Sequence, residues 1–524
     1  MVEIAEAGRS LDARTVLLGI DVGTTNVKAI AYTAAGEAVA SASARHETHR
    51  PRPGWAEYDS EELFASTARA VKQVVSTLAA DTVVAGVAVA SMAETAIPLG
   101  ADGQPLRRAI AWHDERAVPQ SDWWRREVGE ERVAAITGLP VMPIFGINKI
   151  MWLRDNEPDI FAKIRAWLNV ADYIAFRLTG AQATDYSLAS RLMVLDLQGK
   201  RWSQELLSAC EIREEIFAEL VPSGQQIGVV HSDAHAATGL PRGTPVASGG
   251  MDHPCGALAL GLTRSGDILD SMGTSESLFS VTSAPQLNSG LAEAGYQQGV
   301  HTVSGTYYCN GGLYTSGACV EWLRGLLSPD GETSYDALIE SASRAEPGSA
   351  GVFFLPHLLM ANTPVNDVLS RGAFVGLSAS TDRGSIARAV FEGLAYEAQL
   401  ALDGLVERLD LKVERVRAIG GGTRNELLMQ VKASLLPGPI EVLELDEAAS
   451  LGAALIAGIG VGIYRDADSA AAAVNLASRE VSRPHEATVE YHRRAYESVY
   501  KKLYPRLAGL SHEIATLRGS PGAR

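Results

Sequence analysis

The stretch LLGIDVGTTNVKAIAY, residues 17–32, decides the fold of this chain. Two apolar runs rich in residues that favour strands flank a tight Asp-Val-Gly-Thr-Thr turn, which predicts a buried hairpin. Asp21, Thr24 and Thr25 stand at its tip. Such a turn exposes backbone N–H groups and hydroxyls that bind phosphate oxygens, while a carboxylate beside phosphate requires a divalent cation between them. The pattern indicates a Mg²⁺–nucleotide site with Asp21 on the metal; an ordinary hairpin with Asp and Gly as turn formers is the alternative.

A second unit of the same kind follows about half a chain later. DSMGTSESLFS, residues 270–280, aligns with the first unit through its Gly273-Thr274 dipeptide. Ser271 stands there at the position of Asp21. This weak internal repeat predicts two similar domains whose turns face one cleft, one turn handling metal and the other only phosphate.

Size and composition narrow the function classes. A chain of 524 residues favours two large domains, and its net charge of −16 argues against nucleic acid or an anionic membrane as a partner. The four cysteines form no CxxC pair and no disulfide framework, which fits a reducing cytoplasm. The mixed, acidic segment before the first strand reads as a loose extension without a signal sequence, and no run is long enough for a membrane span. We find no His/Cys metal spacing, nucleophile elbow or Walker motif.

Strand-like and helix-like segments alternate along the chain, which is typical of an α/β fold. The predicted strands cover residues 16–20, 27–33, 82–91, 244–252 and 439–445, with a second strand-turn-strand unit over 266–283. The predicted helices cover residues 60–79, 119–137, 147–179, 253–261, 381–409 and 447–462. Residues 416–436 read as a strand, a glycine turn and a helix.

Five segments in order resemble the successive motifs of the FGGY carbohydrate kinases, which include the xylulose and glycerol kinases. They are GIDVGTTNVKA (19–29), SGGMDHPCGALALG (248–261), MGTSE (272–276), PHLLMANTPVNDVLSRGAFVGL (356–377) and AIGGGTRNELLMQ (418–430). The resemblance implies two ribonuclease-H-like domains of the actin/hexokinase/Hsp70 superfamily, with ATP and sugar in the cleft between them. We expect a sugar-binding domain with the catalytic base over 16–260, a nucleotide-binding domain over 261–480 and a helical tail over 481–524. Cytoplasmic homodimers, common in that family, are the expectation for oligomeric state and location.

Asp252 is the predicted catalytic base. Gly249 and Gly250 let the backbone approach a substrate, and Asp252 stands where a helix begins, so the helix N-terminus keeps its carboxylate ionised and ready to accept a proton. A plain N-cap of that helix is the alternative. The resemblance favours the base, because the family has its catalytic Asp in this Gly-x-x-Asp stretch.

The nucleotide side is predicted from the glycine turn at 420–422. Its backbone lets a flat ring lie on it, and Asn425 either caps the next helix or reaches the nucleoside. The family's Asp after this helix is Ser434 here, and we assign Ser434 no role. With the resemblance, the predicted ATP-binding residues are Thr24, Thr25, Gly273, Thr274, Gly317, Gly421, Gly422 and Asn425.

The sugar pocket departs most from the family. Glycerol kinases carry Arg at Ala93, Tyr near Ile144 and Gln at His253, and xylulose kinases usually carry His at Ala93, so the chain lacks groups that grip glycerol. The predicted substrate-binding residues are Met92, Glu94, Trp112, Asp114 and His253. Alternatives are a solvated loop acid at Glu94, a local Asp114–Arg116 ion pair and a merely structural histidine.

Together with these patterns, the resemblance implies ATP-dependent phosphorylation of a primary hydroxyl on a ketose or polyol, with Asp252 as base and Mg²⁺-ATP in the cleft. A kinase of a sugar acid, or of an unusual tetritol or ketose, is the alternative within enzymes. A nucleotide-switched ATPase of the same fold that phosphorylates no sugar is the alternative from another class.

Overall fold

The computed structural model describes residues 14–328, 333–436 and 438–517, and two seven-stranded sheets dominate this part of the chain. The strands of the first sheet are β1 (Thr15–Val22), β2 (Asn26–Thr33), β3 (Ala38–Arg45), β4 (Val83–Ser91), β5 (Gln226–Val229), β6 (Pro245–Ala247) and β7 (Gly250–Met251). Their order in the sheet is β5-β6-β4-β1-β2-β3, and β7 also pairs with β4. The strands of the second sheet are β8 (Asp267–Met272), β9 (Glu276–Thr282), β10 (Gln297–Val300), β11 (Tyr307–Leu313), β12 (Arg415–Ile419), β13 (Ile440–Leu443) and β14 (Ser478–Glu480). Their order in the sheet is β10-β11-β9-β8-β12-β13-β14.

The two sheets repeat one topology. In the first, β1 pairs antiparallel with β2 and β2 with β3, while β1 and β4 run parallel and so do β4 and β6. The second sheet has the same sequence of pairings through β8, β9, β11, β12 and β13. The α/β fold with two similar halves, predicted from the Gly-Thr repeat, is therefore confirmed.

Six helices matter for the site, and three of them begin at a residue whose side chain caps the first turn. They are α1 (Ser60–Thr77), α2 (Asp252–Ala259), α3 (Gly317–Leu327), α4 (Arg383–Leu409), α5 (Glu426–Leu435) and α6 (Ala448–Gly460). The Asp59 carboxylate accepts hydrogen bonds from the first-turn N–H groups of α1, and that of Asp382 does so for α4. The long α4 is buried along most of its length and forms the centre of the second core.

The remaining helices lie outside the two sheets or join their strands. They are Val118–Glu127, Glu130–Thr137, Gly146–Asn156, Pro158–Phe161, Val170–Thr179, Tyr186–Ser190, Gln204–Ala209, Ser232–Thr238, Ser289–Glu293, Tyr335–Arg344, Ala467–Ala473, Glu486–Ser498 and Leu503–Leu517. Smaller sheets pair Ala183–Asp185 with Glu219–Val221, Leu195–Asp196 with Arg201–Trp202, and Phe353–Leu355 with Ala373–Val375. The predicted N-terminal extension up to residue 13, and residues 518–524 of the predicted tail, lie outside the described residues.

One predicted helix is interrupted by a strand. Residues 147–179 are expected to be mostly helical, but Ala166–Asn169 is a strand paired antiparallel with Ala96–Leu99. That pair belongs to a four-stranded side sheet with Glu57–Tyr58 and Ala109–Ile110. A short apolar run suits a buried helix or a strand equally well, and here a partner distant in sequence decides between them.

Helix α6 joins the two halves through contact at backbone distance. It belongs to the second half of the chain but packs on β1 and β4 of the first sheet and on α2. A Cβ on Gly19 of β1 would lie 1.8 Å from the Ser450 carbonyl oxygen, and a Cβ on Gly452 would lie 1.9 Å from that of Cys255 in α2. These two glycines therefore allow α6 to lie between the sheet and α2.

The four cysteines are free and buried, in agreement with the absence of a disulfide framework. None of the helices within the described ranges has both the length and the apolar character that crossing a membrane requires.

Substitution of Gly452 by Ala tests the role of this contact. The added Cβ forces α6 away from α2, so we expect the free energy of unfolding in urea to fall by about 1–3 kcal/mol. Gly509→Ala is the control, because a Cβ there meets no atom within 4 Å inside the helix Leu503–Leu517. The control should be neutral or slightly stabilising. Equal stability of the two variants would contradict the packing argument.

Candidate active site

Three parallel strands of the first sheet end side by side. Asp21 of β1 and Gly250 of β7 both stand in register with Ala90 of β4, and Met251 stands in register with Ser91. Asp21, the loop that begins at Met92, and Asp252 therefore meet at the carboxyl ends of these strands. This edge is the usual ligand-binding edge of parallel sheets.

A cavity of about 250 Å³ opens at this edge, between the two halves of the chain. Asp21, Asp252 and His253 line it from the first half, and Ser271 lines it from the second half. Asp21 and Ser271 are the matching positions of the repeated hairpins, so both hairpins border one cleft. Further lining comes from Lys28, Gly256, Leu260, Leu269, Ser277, Phe279, Ile419, Asp446, Glu447, Ala448 and Ala449.

The Asp21 carboxylate is incompletely satisfied. Its Oδ1 is buried without a hydrogen-bond partner, and burial, followed by the nearby charge of Asp252, raises its pKa to about 7. Lys28 offsets part of this shift, although its ammonium group is already paired with Glu447 at 2.7 Å. A divalent cation at Asp21 would satisfy the orphan oxygen and keep the carboxylate ionised. The residues present thus fit Mg²⁺, which takes few protein ligands and keeps several waters and phosphate oxygens.

A metal site built from protein ligands alone is not found: the described ranges contain no group of three or more His, Cys, Asp or Glu side chains suited to one. The acidic side chains that line the cleft are Asp21, Asp252, Asp446 and Glu447, and of these Asp21 has a buried carboxylate oxygen without a hydrogen-bond partner.

Asp252 is the first residue of α2, and the preceding Met251 occupies the N-cap position. Its Oδ1 accepts a hydrogen bond from the backbone N–H of His253 at 2.7 Å, and no side chain makes an N-cap hydrogen bond to this helix. The N-cap alternative therefore does not account for Asp252. His253 is exposed and lines the same cavity.

A larger cavity of about 840 Å³ lies in the second half. It brings together most of the residues predicted to bind ATP, namely Gly273, Thr274, Gly317, Gly421, Gly422 and Asn425. The apolar side chains of Val320, Ile339, Leu394 and Leu428 also line it and offer a surface for a flat ring. The Asn425 Oδ1 accepts from Leu428 N at 3.1 Å, so Asn425 caps α5 while lining the cavity.

Thr24 and Thr25 lie on the other hairpin and do not line this larger cavity. The Thr24 hydroxyl accepts a hydrogen bond from the Trp112 indole N–H at 3.2 Å, and Trp112 is 37 % exposed. The hairpin tip of β1 and β2 is therefore tied to the segment that carries Trp112.

Glu94 and Met92 are buried, at 6 % and 4 % exposure, so the solvated-acid alternative for Glu94 does not hold. The Arg191 Nε donates to Glu94 Oε1 at 2.5 Å, and the Lys149 ammonium donates to the Glu94 backbone carbonyl. Glu94 itself adopts a positive φ of 59°. This conformation is uncommon for a residue other than glycine and persists only when its surroundings hold it.

Asp114 forms the ion pair that was the alternative to sugar binding. Its Oδ1 accepts from the backbone N–H and Nε of Arg116, and its Oδ2 accepts from Arg116 Nη2 and from Ala56 N. The pair is buried rather than solvated, and Arg116 stacks 3.8 Å over the Trp55 ring. The expectation of a sugar contact at Asp114 is corrected, because both carboxylate oxygens are already engaged.

Residues 16–259 match the N-terminal domain of the FGGY family of carbohydrate kinases, and residues 269–461 match its C-terminal domain. The chain belongs to the FGGY family of carbohydrate kinases. Both the resemblance and the two-domain fold expected from it are thereby confirmed, and the family implies ATP as co-substrate of this carbohydrate kinase.

Named relatives of this FGGY kinase include enzymes for different acceptors. It is 31% identical to the xylulose kinase of Escherichia coli over 422 residues, which cover 80% of this chain and 84% of that protein. It is also 31% identical to the glycerol kinase of Gloeobacter violaceus over 471 residues, covering 88% and 91%. The solved xylulose kinase of Rhodospirillum rubrum superimposes with a TM-score of 0.89 at 29% identity, covering 95% of this chain and 100% of that one.

Two buried cations of this FGGY kinase escape sequence reasoning. Lys149 is fully buried, its ammonium group donates to the Glu94 and Ile144 carbonyls, and burial lowers its pKa to about 7. The sequence feature that could have indicated its burial is its position as the single charged residue in the apolar run INKIMWL. Arg191 stands in the unremarkable stretch ASRLM, and only its contact with Glu94 reveals it.

The pKa of Asp21 predicts a pH-dependent stability difference. Its value rises from 3.8 in the unfolded chain to about 7 in the fold, so ionisation of Asp21 costs folded stability as pH rises through this range. Without nucleotide or Mg²⁺, Asp21→Asn should match the wild type near pH 4 and exceed its free energy of unfolding by up to roughly 4 kcal/mol at pH 8.

Urea denaturation at several pH values measures this difference. Asp159→Asn, at an exposed position, is the control and should show no pH-dependent difference from the wild type. An Asp21→Asn difference of the same size at pH 4 and pH 8 would be incompatible with a buried carboxylate that ionises near neutrality.

Proposed function

We propose that this kinase transfers the γ-phosphate of ATP to a primary hydroxyl of a ketose or polyol, with xylulose as the first candidate. The observation that carries the proposal is the common cavity of Asp21 and Asp252, close enough for Asp252 to raise the pKa of Asp21. Phosphoryl transfer needs a carboxylate near the acceptor hydroxyl and a cation near the phosphates. The remaining contribution of the protein is mainly to position the two reactants. The similarity to xylulose kinases supports the choice of acceptor.

Asp252 acts as the base. Its carboxylate orients the acceptor hydroxyl and takes its proton while the hydroxyl oxygen attacks the γ-phosphorus. Its position at the start of α2 favours the ionised form, because the helix dipole is positive there.

Asp21 is the residue that would hold Mg²⁺, directly or through water, with Thr24 and Thr25 of the same hairpin beside the phosphates. When bound, the cation neutralises charge that develops on the phosphoryl oxygens. Asp21 contributes a charged oxygen without another partner, and Lys28 adds positive charge at the same cavity.

The larger cavity takes the nucleotide. Gly273, Thr274 and Gly317 offer hydroxyl and backbone groups to the phosphates, and Gly421 and Gly422 let the nucleoside lie on the chain. Closure of the two halves around both ligands would exclude water and so prevent hydrolysis of ATP.

Asp252→Asn tests the base. The amide cannot take the proton, so kcat for the sugar should fall by about 10²- to 10⁴-fold while the Kd for ATP stays unchanged. Asp233→Asn, an exposed aspartate in the first turn of Ser232–Thr238, is the control for the same chemical change. Sugar-dependent turnover at the wild-type rate in Asp252→Asn would refute the assignment.

Gly317→Ala tests the nucleotide cavity. A Cβ at Gly317 would lie 2.6 Å from the Gly273 carbonyl oxygen, so α3 must move away from the hairpin. We expect the KM for ATP to rise by about ten- to a hundredfold, since overpacking costs ~1–3 kcal/mol. Gly325→Ala lies on the same helix, where a Cβ meets nothing within 4 Å, and should leave this KM unchanged. Equal KM values for both variants would argue for a nucleotide site elsewhere.

The acceptor is identified by ATP consumption against a panel of ketoses, alditols and aldonates. Turnover that depends on a ketose or polyol supports the proposal. Turnover with aldonates alone indicates a sugar-acid kinase, and ATP hydrolysis that no acceptor stimulates indicates the non-kinase ATPase.

A further inference from the structure

We propose that Ser187 is a positioning residue of the reaction, and that its hydroxyl fixes the strand end from which Asp252 reaches the acceptor. The inference rests on the proposed function, because Asp252 is the base of that reaction. Ser187 lies in the short helix Tyr186–Ser190, and it acts on the site through the backbone of the residue that precedes Asp252.

The helix that begins at Asp252 does not fix its own first turn. Met251 occupies the N-cap position of α2, and no side chain makes a capping hydrogen bond there. Met251 also ends β7, a strand of two residues that pairs with the end of β4. A short strand end without a side-chain cap defines the direction of the next side chain poorly, so the position of Asp252 depends on contacts from elsewhere in the chain.

The hydroxyl of Ser187 supplies such a contact. The backbone N–H of Met251 donates to Ser187 Oγ at 2.8 Å, and Ser187 is fully buried. The same Oγ donates its proton to Asp185 Oδ1 at 3.0 Å. A hydroxyl that gives its single proton to a carboxylate keeps only lone pairs for its other partners. Ser187 therefore faces Met251 as an acceptor, and the direction of this hydrogen bond is fixed.

The carboxylate behind Ser187 is itself held by several donors. Asp185 is buried and accepts from the backbone N–H groups of Ser187 at 2.9 Å and of Leu188 at 3.0 Å. Its Oδ2 also accepts from Ser223 Oγ at 2.7 Å. Asp185 cannot rotate without breaking several of these bonds at once, so it keeps Ser187 in one orientation.

The backbone before Asp252 also packs closely against Ser187. A Cβ on Gly250 would lie 3.0 Å from Ser187 Oγ and 2.6 Å from Thr302 Cγ2. The glycine lets this strand end approach both side chains, and the close packing leaves the segment little room to shift.

A second hydroxyl holds α2 from the other half of the chain. Thr302 Oγ1 donates to the Pro254 carbonyl at 3.1 Å, and Thr302 follows β10 of the second sheet. The helix that carries the first hydroxyl is joined to β10 as well, because Val300 N donates to Ser190 Oγ at 3.0 Å. The contacts on both sides of Asp252 thus extend to the half that contains the larger cavity.

A serine that only stabilises the fold is the alternative. Replacement of a structural serine lowers stability, and any loss of activity is then the same whether or not the base is present. A positioning serine acts through Asp252, so the effect of its replacement depends on Asp252.

A double-mutant cycle of Ser187→Ala and Asp252→Asn distinguishes the two roles. Ser187→Ala leaves the N–H of Met251 unpaired, so kcat with the acceptor that the panel identifies should fall about 10- to 100-fold while the KM for ATP stays unchanged. In the Asp252→Asn background the same substitution should leave the residual kcat unchanged, because an amide that takes no proton gains nothing from correct placement. Sugar-dependent release of ADP measures all four proteins of the cycle.

Ser203→Ala is the matched control. Ser203 is a buried serine too, and its hydroxyl accepts the backbone N–H of Leu206 at the start of the helix Gln204–Ala209. Its replacement should lower the unfolding temperature and leave kcat at the wild-type value.

Thr302→Val keeps the inference testable if Ser187→Ala does not fold. Valine has nearly the volume of threonine, and the variant loses the hydrogen bond to the Pro254 carbonyl. Its kcat should fall with Asp252 present and stay unchanged in the Asp252→Asn background.

The outcomes separate this inference from the proposed function. A wild-type kcat in the folded variant, or an equal loss of kcat in both backgrounds, overturns the positioning role and leaves the proposed function intact. Turnover of Asp252→Asn at the wild-type rate overturns the assignment of the base, and the inference with it.

Discussion

Backbone contact between α6 and the first half of the chain is the constraint on which the cleft depends. A helix that starts from the second sheet lies against β1 and α2, and it does so because Gly19 and Gly452 leave no side chain in the way. The contact brings the ends of two similar sheets to face each other. A larger residue at either glycine would widen the cleft at its base, and the matching hairpins would no longer border one cavity.

Asp21 and Asp252, two of the acidic residues that line the cleft, lie in different electrostatic surroundings. Asp21 is buried, lacks a partner for Oδ1 and has its pKa raised by burial and by Asp252. Asp252 instead stands at the start of a helix and accepts a hydrogen bond from the next backbone N–H. Two neighbouring carboxylates do not ionise together cheaply unless a cation lies near them. Under the proposed function, Asp21 would hold the cation and Asp252 would take the proton of the acceptor hydroxyl.

Buried cations also hold loops in each half of the chain. In the first half, Lys149 and Arg191 hold Glu94. In the second half, the Lys432 ammonium donates to Asp270 and Glu276, each at 2.6 Å, and thereby ties the β8–β9 hairpin to α5. Buried ion pairs contribute little net stability, but removal of one partner is strongly destabilising. Their value here is that they fix the positions of the segment at Glu94 and of the β8–β9 hairpin.

The sequence by itself determined the α/β class, the repeat, the hairpin with Asp21 and the helix start at Asp252, because each is encoded within a few neighbouring residues. Only the tertiary structure decided that the Asp114–Arg116 pair is buried, with Asp114 also accepting from Ala56 N and Arg116 lying over the Trp55 ring, and that 166–169 forms a strand against 96–99. It also revealed Arg191, which lies 97 positions from Glu94. Contacts of this kind depend on which segments fold against each other, and no local pattern of polarity or turn residues records that choice.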